Sequence, residues 1–108
     1  SNITFKFDKD EPTQESYLLL DNICASLIVY PTVKIEVRGH ADSSGIKEVN
    51  DMLSLKRAES IVKYMLGKGV NPGQITAVGC GSSEPIGDNN TAIGRSQNRR
   101  VEIKVVAF

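Results

Sequence analysis

Asp42 and Arg57 are the residues of this chain whose types could do chemistry together. An aspartate offers acceptors to an ammonium group and a guanidinium offers a planar fork to a carboxylate, so the two would suit the zwitterionic end of an amino acid. They could equally pair with each other, and spacing does not decide between these uses. Asn50, Ser54 and Arg57 stand at i, i+4 and i+7 and share one face of a helix. At about 100° per residue, Asn50 and Arg57 lie roughly 110° and 130° from the mean direction of the expected apolar stripe, Leu55, Ala58, Val62, Met65 and Leu66. Packing therefore does not require them, while Ser54 lies nearer the boundary. A solvated helix face is the commoner origin of such a pattern. Against it stands Asp42, which directly follows a buried strand a few residues before the helix begins.

A third candidate comes from strand parity. Arg99 shares parity with Val101 and Ile103 and is expected to point to the buried side, where a charge must find a partner or a ligand. Arg100 has the opposite parity and is expected in solvent, which favours Arg99 as the functional arginine.

Catalysis finds little support. His40 is the single histidine, and no cysteine or carboxylate cluster has ligand spacing around it, so neither a metal nor a cofactor is expected. Ser43 and Ser44 lie beside His40 and Asp42, but loop serines usually bond backbone. His40 is read as a residue that holds its loop. Cys24 and Cys80 lack C-x-x-C or zinc-ligand spacing and are read as packing residues, with a disulfide left open.

These residues are carried by a simple order of elements. Ile3 to Phe7 alternates apolar and polar residues, as a half-buried strand does. Tyr17, Leu20, Ile23, Cys24 and Leu27 form the stripe of a helix over about 13–30, closed by Pro31. Val33, Ile35 and Val37 alternate in a second strand over 33–39, and a polar loop, 40–45, leads to a helix over about 46–67. Asn71-Pro72-Gly73 predicts a turn, followed by a short strand ending at Gly79. Residues 80–98 read as a long polar loop, of the kind that is usually functional or packed on itself. Val101, Ile103 and Val105 mark the last strand. The βαβαββ order predicts an α+β two-layer sandwich, a mixed sheet with two main helices on one face.

The chain has 108 residues, which suits a single domain over 1–108. Ser1 and Asn2 are expected to be extraneous to the natural chain, with a longer parent upstream. Thirteen basic and thirteen acidic side chains cancel, which argues against steering onto nucleic acid or an anionic membrane. The few aromatics argue against a base-stacking platform. No apolar run approaches the roughly 20 residues of a membrane helix, so any membrane attachment is expected through the parent chain.

Taken together, Gly39-His40-Ala41-Asp42, Gly45, Asn50, Leu53-Ser54, Arg57-Ala58, Gly79, Pro85-Ile86, Asn90-Thr91, Gly94-Arg95 and Asn98 through Ile103 resemble the OmpA-like domain shared by outer-membrane anchors, Pal lipoproteins and flagellar stator subunits. The resemblance runs from Phe7-Asp8 to Ile103. It implies non-covalent, non-enzymatic binding of peptidoglycan through the free end of diaminopimelate in the stem peptide, in the periplasm of a Gram-negative cell and attached through the parent chain to the outer membrane, with the inner membrane as the second choice. It implies that Asp42 takes the ammonium and Arg57 the carboxylate, that Asn50 and Arg99 add hydrogen bonds at the rim, and that Asp8 matches an acidic loop position. Two departures stand out: Ala41, where the family more often has threonine, and Cys80, where an aromatic residue is common. An interaction module that keeps the fold without wall binding is the rival reading, and a homodimer is compatible with either.

Overall fold

A computed structural model describes residues 2–4 and 11–108 of the chain. Its elements are strand β1 (Asn2–Ile3), helix α1 (Gln14–Val29), strand β2 (Lys34–His40), helix α2 (Lys47–Gly67), strand β3 (Ile75–Gly81), helix α3 (Ala92–Asn98) and strand β4 (Val101–Ala107), with a short 3-10 turn at Pro72–Gln74. Most of the predicted first strand, and Asp8 with it, lies outside the described residues.

The sheet order is β1-β4-β2-β3. β2 runs parallel to β3 and antiparallel to β4, and β1 pairs antiparallel with β4. The predicted mixed sheet and α+β class are therefore what the chain forms. The order of elements differs in one place, since α3 interrupts the stretch 80–98 that reads as loop. Its seven residues carry a buried glycine and an isoleucine that faces solvent, so it leaves no apolar period. The signal that could have found it is Thr91, an N-cap whose hydroxyl accepts from Gly94 N at 2.9 Å.

α1 begins at Thr13, whose hydroxyl accepts from Ser16 N, and buries Ser16, Leu20, Cys24 and Leu27. The predicted stripe is thus largely correct, with Tyr17 and Ile23 at its margin. Its C-terminal end is held by Gln74, a buried side chain with no counterpart in the sequence expectations. The Gln74 amide donates to the carbonyls of Leu27, Tyr30 and Val33, at 2.9, 3.1 and 3.0 Å. Three carbonyls that leave the helix end and the turn before β2 are satisfied by one residue.

α2 buries Ser54, Ala58, Ile61 and Met65, not the stripe expected from apolarity. Leu55 and Leu66 are each 38% exposed, whereas Ser54 is fully buried. Close approach to the sheet decides this rotation. A Cβ on Gly39 would stand 1.9 Å from the Ser54 carbonyl oxygen, and one on Gly79 would stand 2.8 Å from the Leu55 Cβ. Gly81, at φ +56, lies equally tight under Asp51, and its N–H donates to Ser54 Oγ at 3.0 Å. Glycines at the ends of β2 and β3 thus let the N-terminal half of α2 rest on backbone, with a serine as its innermost residue.

Ile35 and Val37 of β2 pair with Val105 and Ile103 of β4. Together with Leu20, Cys24, Leu27, Ala58, Ile61 and Met65, the strand residues Ile35, Val37 and Val101 make the core between sheet and helices. Alternation sends Glu36, Arg38, His40, Glu102 and Lys104 to the opposite face. Cys24 and Cys80 are both free, and Cys24 belongs to the core as expected. Cys80 lies half-buried in β3, as the extra residue where the β2–β3 register shifts from Gly39–Gly79 to His40–Gly81.

Candidate functional site

The candidate site forms where β2 ends, between the start of α2 and the end of α3. β2 runs out at His40, and Ala41 and Asp42 remain buried as the chain turns away. Ala41 N still bonds Gly81 O at 2.8 Å, so the backbone that carries Asp42 is an extension of the sheet.

The Asp42 carboxylate is the centre of the arrangement. One oxygen accepts from Ser44 N at 2.8 Å and from the Ser44 hydroxyl, and the other accepts from Arg99 Nη1 at 2.5 Å. Burial alone would raise its pKa, but the bonds from Ser44 and the Arg99 charge outweigh burial and hold it below the ordinary carboxylate range. Asp42 is consequently a nearly buried anion with a fixed orientation, its side chain only 7% exposed against 43% for Arg99. The sequence left an Asp42–Arg57 pair open; the guanidinium bonded to Asp42 is that of Arg99.

Asn50 lies beneath the same loop. Its amide donates to Ser44 O at 2.7 Å and to Asp42 O at 3.2 Å, so it shapes the backbone around the carboxylate. Gly45, at φ +83, supplies the left-handed turn that the loop needs there. Arg57 stands two turns further along α2 and is half-buried. Measured against the stripe that α2 buries, Asn50 and Arg57 lie only about 50° and 70° off, at ~100° per residue. They flank the packed face instead of opposing it, and the bonds of Asn50 place that residue at the sheet end where Asp42 sits.

The two neighbouring arginines reverse the exposure expected from strand parity. Arg99 is exposed and Arg100 is buried, because β4 begins only at Val101 and Arg99 is the C-cap of α3, where strand alternation does not apply. Arg100 donates to Glu84 O at 3.0 Å, Asn98 O at 3.3 Å and Glu102 Oε2 at 3.1 Å. It is a structural tie for the loop after β3. Arg99 is the arginine at Asp42, through its place at the end of α3 and not through strand parity.

Asn98, which sequence patterning does not mark, supports one side of the arrangement. It is fully buried; its oxygen accepts from Ile86 N and Gly87 N, both at 2.7 Å, and its amide donates to Gly87 O and Asn89 Oδ1. Asn89 Oδ1 in turn accepts from Ser43 N at 3.2 Å, which ties the loop beside Asp42 to the one that α3 organises. Arg95 adds a bond to Asn89 O at 3.0 Å. A single buried asparagine in a polar run gives no periodic signal, so sequence patterning could not rank it.

With this geometry in place, comparison with known proteins is decisive. The model of the OmpA family matches residues 4–99. The chain belongs to the OmpA family. Outer membrane porin F of Pseudomonas fluorescens is 42% identical over 106 residues, which are 98% of this chain and 32% of that protein. The peptidoglycan-binding protein ArfA of Mycobacterium tuberculosis is 35% identical over 103 residues, 95% of this chain and 32% of that protein. The crystal structure of the peptidoglycan-associated lipoprotein from Burkholderia pseudomallei superposes with a TM-score of 0.90 at 28% identity, over 97% of this chain and 89% of that one. The chain thus spans about a third of the length of the porin F and ArfA relatives. Of these relatives, one is named as an outer membrane porin, one as a peptidoglycan-binding protein and one as a peptidoglycan-associated lipoprotein, and none of the three is named as an enzyme. Among the described residues, no helix is long and apolar enough to cross a membrane.

Proposed function

We propose that the whole 108-residue chain acts as one peptidoglycan-binding domain, which captures the free end of diaminopimelate in the stem peptide and so holds a periplasmic, outer-membrane-attached parent to the wall. The carrying observation is the Asp42–Arg99 pair: a nearly buried, oriented carboxylate joined at 2.5 Å to a guanidinium that is 43% exposed. A ligand that brings both an ammonium and a carboxylate can insert into such a pair. Its ammonium takes the remaining acceptor positions of Asp42, and its carboxylate takes the exposed guanidinium, so each protein charge keeps a partner throughout. Arg57, on the α2 face that Asn50 begins, supplies the second fork for that carboxylate. Asn50 holds the loop, and Asp8 belongs to the proposed rim through its family position alone. No covalent step or cofactor enters this reading.

The resemblance assigned the carboxylate to Arg57 and a rim bond to Arg99; the geometry supports a shared role. Removing a charge-assisted contact from a partly buried site costs on the order of 2 kcal/mol, about thirtyfold in affinity. In sedimentation with purified peptidoglycan, Asp42→Asn and Arg57→Ala should therefore remain in the supernatant under conditions where the parent chain pellets. If all three pellet alike while circular dichroism shows them folded, the pocket is misassigned. If none pellets, the chain is an interaction module that keeps the fold without wall binding.

A further inference from the structure

A second cluster of reactive side chains lies on the open face of the sheet, opposite the helices. One potential donor atom each from His40, Cys80 and Glu84 lies within 4.8 Å of the others. Linear spacing conceals this, since β2, β3 and the loop after β3 contribute one residue each. His40 is fully buried, and among the described residues its Nδ1 has no hydrogen-bond partner. Its Nε2 lies 2.7 Å from Glu102 Oε1. A buried imidazole nitrogen without a partner is costly unless something else uses its lone pair.

The geometry points to His40, Cys80 and Glu84 as a binding site for a zinc ion, separate from the Asp42 site and independent of the wall-binding reading. The donor set is one imidazole nitrogen, one sulfur and one carboxylate oxygen, a mixture that suits the borderline softness of Zn²⁺. A thiolate and a carboxylate together offset the two charges of the ion. Glu102, against the His40 ring, stands where a carboxylate orients a metal-ligating histidine. Burial pushes the Cys80 thiol up, so binding displaces its proton to solvent.

Two features bear on closure. Bonds of roughly 2.0–2.3 Å to a tetrahedral ion set donors about 3.5 Å apart, so the cluster must contract by about an ångström. Glu84 is exposed and can supply that movement by rotation, while its backbone stays tied to Arg100. Arg38 now holds Glu84 at 2.5 Å and also donates to Glu36 at 2.9 Å. The ion would take Glu84 from Arg38, which retains Glu36.

Titration of the purified, reduced chain with Co²⁺, followed by displacement with Zn²⁺, tests the site. One equivalent of Co²⁺ should produce sulfur-to-cobalt charge-transfer absorption, and Zn²⁺ should abolish it. Cys80→Ser should lack the band, Glu84→Gln should bind Zn²⁺ at least about tenfold more weakly, and Cys24→Ala should behave as the parent. Absence of the band in the parent, its persistence in Cys80→Ser, or an unchanged Zn²⁺ affinity in Glu84→Gln each overturns the site. Glu84 lies on the surface, so its variant decides the matter even if Cys80→Ser does not fold.

Discussion

Adjacent residues of one type, Arg99 and Arg100, do different work in this chain, and their substitution should separate binding from folding. Arg100→Ala removes a buried guanidinium and strands the Glu84 and Asn98 carbonyls, which should cost about 2–3 kcal/mol of stability in urea unfolding. Arg99→Ala takes a 43% exposed partner from the Asp42 carboxylate and should cost less, about 1 kcal/mol, while losing wall binding. Equal unfolding midpoints for the two would contradict the assignment. Residue types were legible in the sequence: Asp42, Asn50, Arg57 and Arg99 stand in the family's motif, and hydrogen bonds bring Asp42, Asn50 and Arg99 to one sheet end. Their partners were not legible. Which guanidinium meets Asp42 depends on where β4 begins, and strand parity extended the strand two residues too far. His40, Cys80 and Glu84 were illegible as a group because three separate segments supply them.

At the scale of elements, most boundaries follow from alternation and helical period, and the exceptions share a cause. α2 is rotated because glycines at 39 and 79 admit backbone where side chains would normally pack, so Ser54 replaces Leu55 as the innermost residue. Hydrophobicity alone points to the leucine; only the close approach explains the serine. Gly39→Ala should therefore push α2 off the sheet and lower stability by about 3 kcal/mol. Gly67→Ala, at the last residue of α2 with open space around its Cβ, should raise stability by about 0.5–1 kcal/mol. The two denaturation midpoints should move in opposite directions. Gln74→Leu leaves three carbonyls at the end of α1 without their donor and should cost about 2–3 kcal/mol by the same measurement.

Across the whole molecule, the sheet separates two kinds of surface. One face is closed by α1 and α2 over an apolar core, and the other carries the charged ladder of Glu36, Arg38, His40, Glu102 and Lys104. The candidate wall site belongs to neither face. It lies at the end of β2, where Asn50 from α2, Arg99 from the end of α3 and the Asn98-organised loop converge on Asp42. A net charge of zero leaves no long-range field to draw the chain to a polymer, so affinity must come from contacts at this place. Calorimetric titration with a stem peptide ending its side chain in diaminopimelate, against the same peptide with lysine, tests that most directly. Lysine keeps the ammonium and lacks the second carboxylate. The diaminopimelate peptide should bind about thirtyfold more tightly, with the preference lost in Arg57→Ala; equal binding of the two peptides would contradict recognition of a zwitterion.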